Sequence, residues 1–315
     1  MHRTSTDVRA AGRFSGAGAQ GVESEVDPAW RPWLRLVDRA LDAAADPEWE
    51  HLAVEPLANR ATDAPLLHGA VLHVDPRRVR RLLRDLLREA EGSGGEGPDS
   101  QRGKGDGDPV PRTRARRLDT MGVLGAAIAH DAEALERAAS AAGVDAGRLA
   151  VAAQLAATPI LHACAARLGH RISGSWQKGY CPICGAWPAT AELRGLERQR
   201  RLRCGRCASD WMMPVLRCPF CNEGDHDRLR SLLPEGNEQT RRVDACETCK
   251  GYVKTFSTLQ AMPPRALATI DLATVELDMV AEERGYARPS RPAFAIEITI
   301  RRRTAAPFTI TGDHA

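Results

Sequence analysis

Cys181-Pro-Ile-Cys184-Gly185, Cys204-Gly-Arg-Cys207, Cys218-Pro-Phe-Cys221 and Cys246-Glu-Thr-Cys249 stand one after another within residues 181–249. The intervals between the pairs are 19, 10 and 24 residues. A C-x-x-C turn brings two thiolates and several backbone N–H groups to one point, and two such turns supply a tetrahedral sulfur site for one divalent metal. Pro182, Gly185 and Pro219 favour tight turns at the first and third pairs. Four knuckles, each interval long enough for a small hairpin, predict two tetrathiolate metal sites. Consecutive pairing closes the shortest loops. It puts Cys181, Cys184, Cys204 and Cys207 on one metal (site 1) and Cys218, Cys221, Cys246 and Cys249 on a second (site 2). Interleaved pairing is the main rival and nested pairing the weakest. Soft thiolate ligands suit zinc, which would be structural, and iron, which would make a rubredoxin-like centre.

The rest of the composition removes alternatives. The 315 residues are enough for two domains, and the core is drawn mainly from small and aliphatic residues, since only 4% are aromatic. A net charge of +3 gives little reason to expect a nucleic-acid or membrane-surface partner. No apolar run is expected to span a bilayer, and the first twenty residues lack both a secretory apolar core and a twin-arginine pair. A cytoplasmic protein is the expectation, with no membrane insertion. Eight of nine cysteines lie in the four pairs, which in a reducing compartment points to metal rather than disulfides. No nucleophile triad, phosphate loop or carboxylate pair stands out, so no catalytic or organic-cofactor residues are assigned.

Outward from the knuckles, residues 1–26 read as a disordered tail. Residues 27–173 read as an all-helical domain. Asp27-Pro28, Asp46-Pro47 and Asp75-Pro76 are start signals within it. Leu34, Val37, Ala40 and Leu41 fall at helical spacing. Val79, Leu82, Leu83, Leu86 and Leu87 form an apolar stripe edged by arginines, read as a solvated face. Residues 91–111 are a Gly-rich linker inserted in this domain. Beyond it Leu118, Met121, Leu124 and Ile128 make one stripe. Leu149, Ala153, Ala156, Ile160 and Cys164 make another, with the break at Gly143 and Gly147 and a kink at Pro159. Cys164 is a small buried hydrophobe, outside the site. His68, His73 and His226 read as packed or loop histidines.

Residues 174–260 form the double C-x-x-C region, with strands at 211–217, 228–232, 241–244 and 252–256. A C-terminal helix at 271–283, within a unit 261–288, presents Leu272, Val275, Met279 and Val280 on one side. The tail 289–315 is variable, with an alternating run at 294–300 whose pairing the sequence leaves open. The fold class is α+β: helices first, then two small rubredoxin- or zinc-ribbon-like β modules, then a helix.

Residues flanking the knuckles are more specific. Cys181-Pro-x-Cys-Gly is followed by Arg203-Cys204-x-x-Cys207 with Trp211 beyond it, then Arg217-Cys218-x-x-Cys221. Next comes Asp244-Ala-Cys246-x-x-Cys249-x-x-Tyr252-x-Lys254, then Asp271-Leu-Ala-Thr274 and Glu282-Glu-x-Gly285-Tyr286. This order resembles the formate dehydrogenase accessory protein FdhE family, most specifically over residues 179–287. The resemblance implies a cytoplasmic maturation factor (an enzyme chaperone rather than an enzyme) that contacts the catalytic subunit of formate dehydrogenase and is associated with iron. A homodimer is compatible with it. Trp211, Tyr252 and Lys254 are candidates for the partner surface, ordinary packing beside the knuckles being the competing reading. Two other functions are carried alongside: a zinc-ribbon module for nucleic acid, which would use Arg194, Arg198, Arg200, Arg201, Arg203 and Arg206, and a rubredoxin-like redox carrier.

Overall fold

The computed structural model describes residues 26–92, 118–234 and 240–303. The expected disordered tail, apart from the buried Val26, and nearly all of the linker 91–111 lie outside the described residues.

The helical half is assembled on aspartate caps. Asp27 accepts from Ala29 N before a 3-10 turn that leads into α1 (Arg31–Ala44). Asp75 accepts from Arg77 N as α2 (Pro76–Gly92) begins. Asp119, Asp131 and Asp145 cap α3 (Thr120–Ala129), α4 (Ala132–Ala142) and α5 (Ala146–Leu168) in the same way. Each such cap is worth about 1 kcal/mol. The break expected at Gly143 is present, with Gly143 left-handed at φ 66°. Gly147 is not a break; it lies in the first turn of α5. A second break falls at His130 (φ 59°), which makes three helices where two were expected.

α5 is the central helix, packed by α1, α2, α3 and α4. It runs through Pro159 without ending. It also corrects the expectation that no apolar run reaches membrane length: within residues 146–171 an 18-residue window has a mean hydropathy of 1.6, long and apolar enough to span a bilayer. Most of that window, 61%, is buried inside the protein, as suits a helix apolar on all sides and enclosed by others.

The N-terminal half is not all helical. β1 (Ala53–Glu55) pairs antiparallel with β2 (Ala70–Val74), and β2 pairs parallel with β9 (Ile298–Arg302). Ala70, Leu72 and Val74 are each fully buried, the alternation a half-buried strand requires. The alternating run in the tail is therefore an added strand, beginning at Ile298, and it carries the chain back to the helical body.

The sulfur-rich half is one six-stranded sheet in the order β5-β4-β3-β8-β7-β6. β3 (Thr190–Arg194), β4 (Gln199–Arg203) and β5 (Asp210–Met212) form one antiparallel unit. β6 (Leu229–Leu232), β7 (Arg241–Cys246) and β8 (Tyr252–Thr258) form the other. A parallel β3–β8 ladder, Thr190↔Lys254 to Arg194↔Thr258, fuses the two modules. The β3–β4 hairpin was not among the expected strands, and the strand expected at 211–217 is only Asp210–Met212.

The expected C-terminal helix is two: α6 (Pro264–Ala273) and α7 (Val275–Glu283), broken at Thr274 (φ −123°). Lys254 Nζ takes the carbonyls of Asp271 (2.6 Å) and Thr274 (3.3 Å) at the break. The buried side is Leu277 and Ala281, while Met279, expected on one side with Leu272, Val275 and Val280, is 58% exposed.

Candidate metal centres

The four knuckles share one backbone design. The first cysteine's N–H donates to the carbonyl five residues on, and the N–H four residues on donates back to that cysteine's carbonyl. Thus Cys181 N bonds Ala186 O and Gly185 N bonds Cys181 O; Cys204 pairs with Ser209 and Ala208, Cys218 with Glu223 and Asn222, and Cys246 with Gly251 and Lys250. The residue making the return bond is left-handed each time: Gly185, Ala208, Asn222 and Lys250 at φ 75°, 60°, 63° and 58°. Glycine supplies that conformation freely at the first knuckle, and asparagine tolerates it at the third. A Cβ at Gly185 would also crowd Phe294 O (3.0 Å) and Pro65 Cγ (3.1 Å).

These turns gather the eight cysteines in consecutive pairs. The Sγ atoms of Cys181, Cys184, Cys204 and Cys207 lie within 4.8 Å of one another, and so do those of Cys218, Cys221, Cys246 and Cys249. Across knuckles, Cys181–Cys207 and Cys184–Cys204 are 3.5 Å apart, Cys218–Cys249 3.6 Å and Cys221–Cys246 3.7 Å. A tetrahedral ion with metal–sulfur bonds near 2.3 Å sets its sulfurs about 3.8 Å apart, so both donor sets fit one such ion. Interleaved and nested pairings are not what the fold builds. Ser209 Oγ lies 3.1 Å from Cys181 Sγ and 3.0 Å from Cys207 Sγ. At site 2, Phe220 N and Gly251 N donate to Cys218 and Cys249 Sγ, both at 3.4 Å. Such N–H and O–H contacts orient and stabilise thiolate ligands.

The protonation of the thiols is uneven. The thiols of Cys181, Cys184 and Cys207 donate to Cys204 and hold it well below the ordinary thiol range, whereas burial drives Cys181 and Cys207 well above it. At Cys246 burial works upward, yet the N–H groups of Cys249 and Thr248 and the Cys221 thiol leave it lowered. Burial raises Cys218, and it pushes Cys249 up to about 11. A metal must therefore displace protons from several thiols at each cluster.

The arginines that a nucleic-acid-binding module would use are held by partners within the fold. Arg203 Nη1 donates to Glu192 Oε1 at 2.7 Å, with both residues buried, and Arg194 bridges Glu192 and Asp210. Arg201 donates to Asp210, and Arg198 reaches Ser257 Oγ at 3.4 Å. Arg206 crosses to the helical body. It donates to the carbonyls of Ala127 (2.6 Å) and Ile128 (3.2 Å), to Gln154 Oε1 (2.7 Å) and to His130 Nε2 (2.5 Å). Arg200, 3% exposed, donates from Nη1 to the carbonyls of Pro214, Val215 and Arg217, the residues leading into Cys218. Its Nε and Nη2 are buried without a partner among the described residues. These arginines are occupied within the fold, and the signal that could have found them is that several flank cysteines on a strand rather than sit on a helix face.

The three candidates for a partner surface are interior residues, and that expectation is corrected: Trp211 and Tyr252 are 2% exposed and Lys254 is 0%. Trp211 Nε1 donates to Lys178 O at 3.0 Å. Tyr252 OH donates to Asp278 Oδ1 at 2.8 Å, and Lys254 Nζ meets Asp278 Oδ2 at 2.6 Å and Asp271 Oδ1 at 2.8 Å. They pin α6 and α7 onto the sheet. His226 is exposed and in neither cluster, and Cys164 is buried apart from both, its thiol pushed up to about 12 by burial.

Residues 216–294 match the family model described as FdhE, C-terminal domain. The chain is 35% identical over 111 residues to a protein FdhE homolog of Stutzerimonas stutzeri (strain A1501), covering 34% of this chain and 35% of that one. It is 29% identical over 122 residues to a homolog from Aquifex aeolicus (strain VF5), covering 37% and 41%. It is 31% identical over 117 residues to protein FdhE of Escherichia coli O127:H6 (strain E2348/69 / EPEC), covering 36% and 37%. The matched stretch thus spans well under half the length of these relatives. The fold as a whole is similar to the crystal structure of the FdhE protein from Pseudomonas aeruginosa, with a TM-score of 0.54 at 20% identity over 88% of this chain and 94% of that one.

Proposed function

From the match of residues 216–294 to the FdhE C-terminal domain and the similarity of the fold to that of FdhE, we propose that this protein is an accessory factor for the maturation of a formate dehydrogenase. It acts in the cytoplasm, as a binding partner of the enzyme's catalytic subunit and not as a catalyst. The observation that carries this reading is the sorting of eight cysteines into two four-sulfur clusters on one sheet, the second cluster lying within the residues that match the FdhE C-terminal domain. Cys181, Cys184, Cys204 and Cys207 would hold one ion and Cys218, Cys221, Cys246 and Cys249 the other. Zinc would supply shape alone, and iron could also exchange an electron. In either case the sheet is a rigid platform in which the buried Arg203 is paired with Glu192.

The test is a pull-down with the tagged chain from anaerobically grown cells, with metal analysis of the same sample. Recovery of a formate dehydrogenase catalytic subunit supports the reading, and the metal content distinguishes iron from zinc. Replacing Cys181 and Cys184 by Ser should remove site 1 metal and lower formate dehydrogenase activity in those cells. Normal enzyme activity in that variant would sink the functional claim.

A further inference from the structure

The two clusters have the same donor set and the same knuckles, yet they are seated differently. All four cysteines of site 1 are buried, at 1% exposure or less, and all belong to the main apolar core together with α5 and β2. The first knuckle is bonded to the helical half by Leu66 N to Pro182 O (2.7 Å) and Leu67 N to Ile183 O (3.0 Å). The second is held to the same half by Arg206. Ser209 covers Cys181 and Cys207.

At site 2, Cys221 and Cys249 are exposed while Cys218 and Cys246 are buried. None of the four belongs to either apolar core. The bonds around it are local: Glu247 N to Arg228 O (2.8 Å), Thr248 Oγ1 to Glu223 Oε2 (2.7 Å) and Ala287 N to Lys250 O (2.8 Å). Site 1 lies at the interface between the helices and the sheet, where each of its cysteines is at most 1% exposed. Site 2 lies outside that interface and outside both apolar cores, and two of its four cysteines, Cys221 and Cys249, are exposed residues. Opening free energies differ across a fold in just this way, low where few core contacts are lost and high where the core must part.

We propose that site 2 is an exchangeable metal site and site 1 a permanent one. The exchange partner is a thiophilic divalent ion carried by a small soft-donor chelator or a thiol. A lone pair of the incoming donor bonds to the ion as the bond to Cys221 or Cys249 Sγ breaks, and the released thiolate takes a proton from water. Repetition frees the ion without a change of oxidation state. The role differs from that of site 1, whose loss would part the two halves of the protein. This inference rests on both clusters binding metal, part of the function proposed above.

The experiment uses the full chain loaded with zinc at both clusters and mixed with the chromophoric chelator 4-(2-pyridylazo)resorcinol. Samples are quenched with N-ethylmaleimide for peptide mass spectrometry. Release in two phases is expected, the faster by more than about tenfold, with the cysteines of site 2 alkylated in the fast phase and those of site 1 only in the slow one. A Cys221→Ser, Cys249→Ser variant should keep its far-ultraviolet circular dichroism and lose only the fast phase. Equal rates, or alkylation of site 1 first, would overturn the division of roles while leaving two metal sites in place. A purified chain that takes up zinc at neither cluster would overturn the metal reading itself.

Discussion

Arg206, in the turn of the second knuckle, donates from Nη2 to the carbonyl oxygen of Ala127 at 2.6 Å, across the boundary between sheet and helices. Ala127 is in the last turn of α3, where its carbonyl accepts from His130 N at 3.3 Å, and the guanidinium adds a second bond and meets the negative end of the helix. Its remaining donors reach Ile128, His130 and Gln154. Arg206→Lys should destabilise the protein by about 2–4 kcal/mol, because an ammonium cannot reproduce the fork and leaves buried acceptors unpaired. Chemical denaturation of the metal-loaded chain measures this; a loss no larger than that of an exposed control such as Arg137→Lys would refute the clamp.

His130 accepts from Arg206 and must be neutral to do so. Burial, then the charge of Arg206, lowers its pKa from the ordinary 6.5 to about 4. Between those values the unfolded chain binds a proton that the folded one refuses, so the contribution of this residue to stability is full above 6.5 and falls as pH drops toward 4. The loss should reach about 1 kcal/mol near pH 5.5. Asn at position 130 tolerates the left-handed backbone and does not titrate. Stability profiles of the protein and of His130→Asn should therefore converge on acidification; parallel profiles would contradict the assignment.

Glu192 and Arg203 form an ion pair between neighbouring strands, 0% and 3% exposed. Met262 N also donates to Glu192 Oε1 at 3.0 Å. Glu192→Gln keeps the shape but leaves a buried guanidinium without its countercharge, and should cost about 3–5 kcal/mol. The double change Glu192→Leu, Arg203→Met should be less damaging than Glu192→Gln alone, a comparison that thermal unfolding of the three variants decides.

At Gly179 a Cβ would stand 1.6 Å from Pro219 O, a backbone atom of the third knuckle. Gly179→Ala must therefore push the knuckle away. The expected result is a stability loss of about 1–3 kcal/mol together with faster metal release at site 2. Site 1 release, read by alkylation of Cys181 and Cys184, should change less; equal acceleration at both sites would show that the contact is not local.

Local order carried much of this protein's design. The cysteine spacing specified the four knuckles and the shortest-loop pairing, since a C-x-x-C turn closes within its own residues. The Asp-Pro pairs and the 3.6-residue stripes marked α1, α2 and α5 because caps and amphipathic faces are properties of a few adjacent side chains. Lys254 and Trp211 show where that kind of reading fails. A lysine near a knuckle looks like surface until Asp271 of α6 and Asp278 of α7 close over it.

What the sequence determined was therefore every feature whose physical cause lies within one turn, one knuckle or one helix. The tertiary structure alone decided which surfaces remain surfaces. It joined residues 298–302 to 70–74 as a parallel ladder, fused the two modules through β3 and β8, and turned Arg200 and Arg203 inward. It also buried all four cysteines of one set while leaving two of the other set exposed. Two identical donor motifs differ only in what packs around them, and that depends on contacts between residues far apart in the chain, which no local pattern encodes.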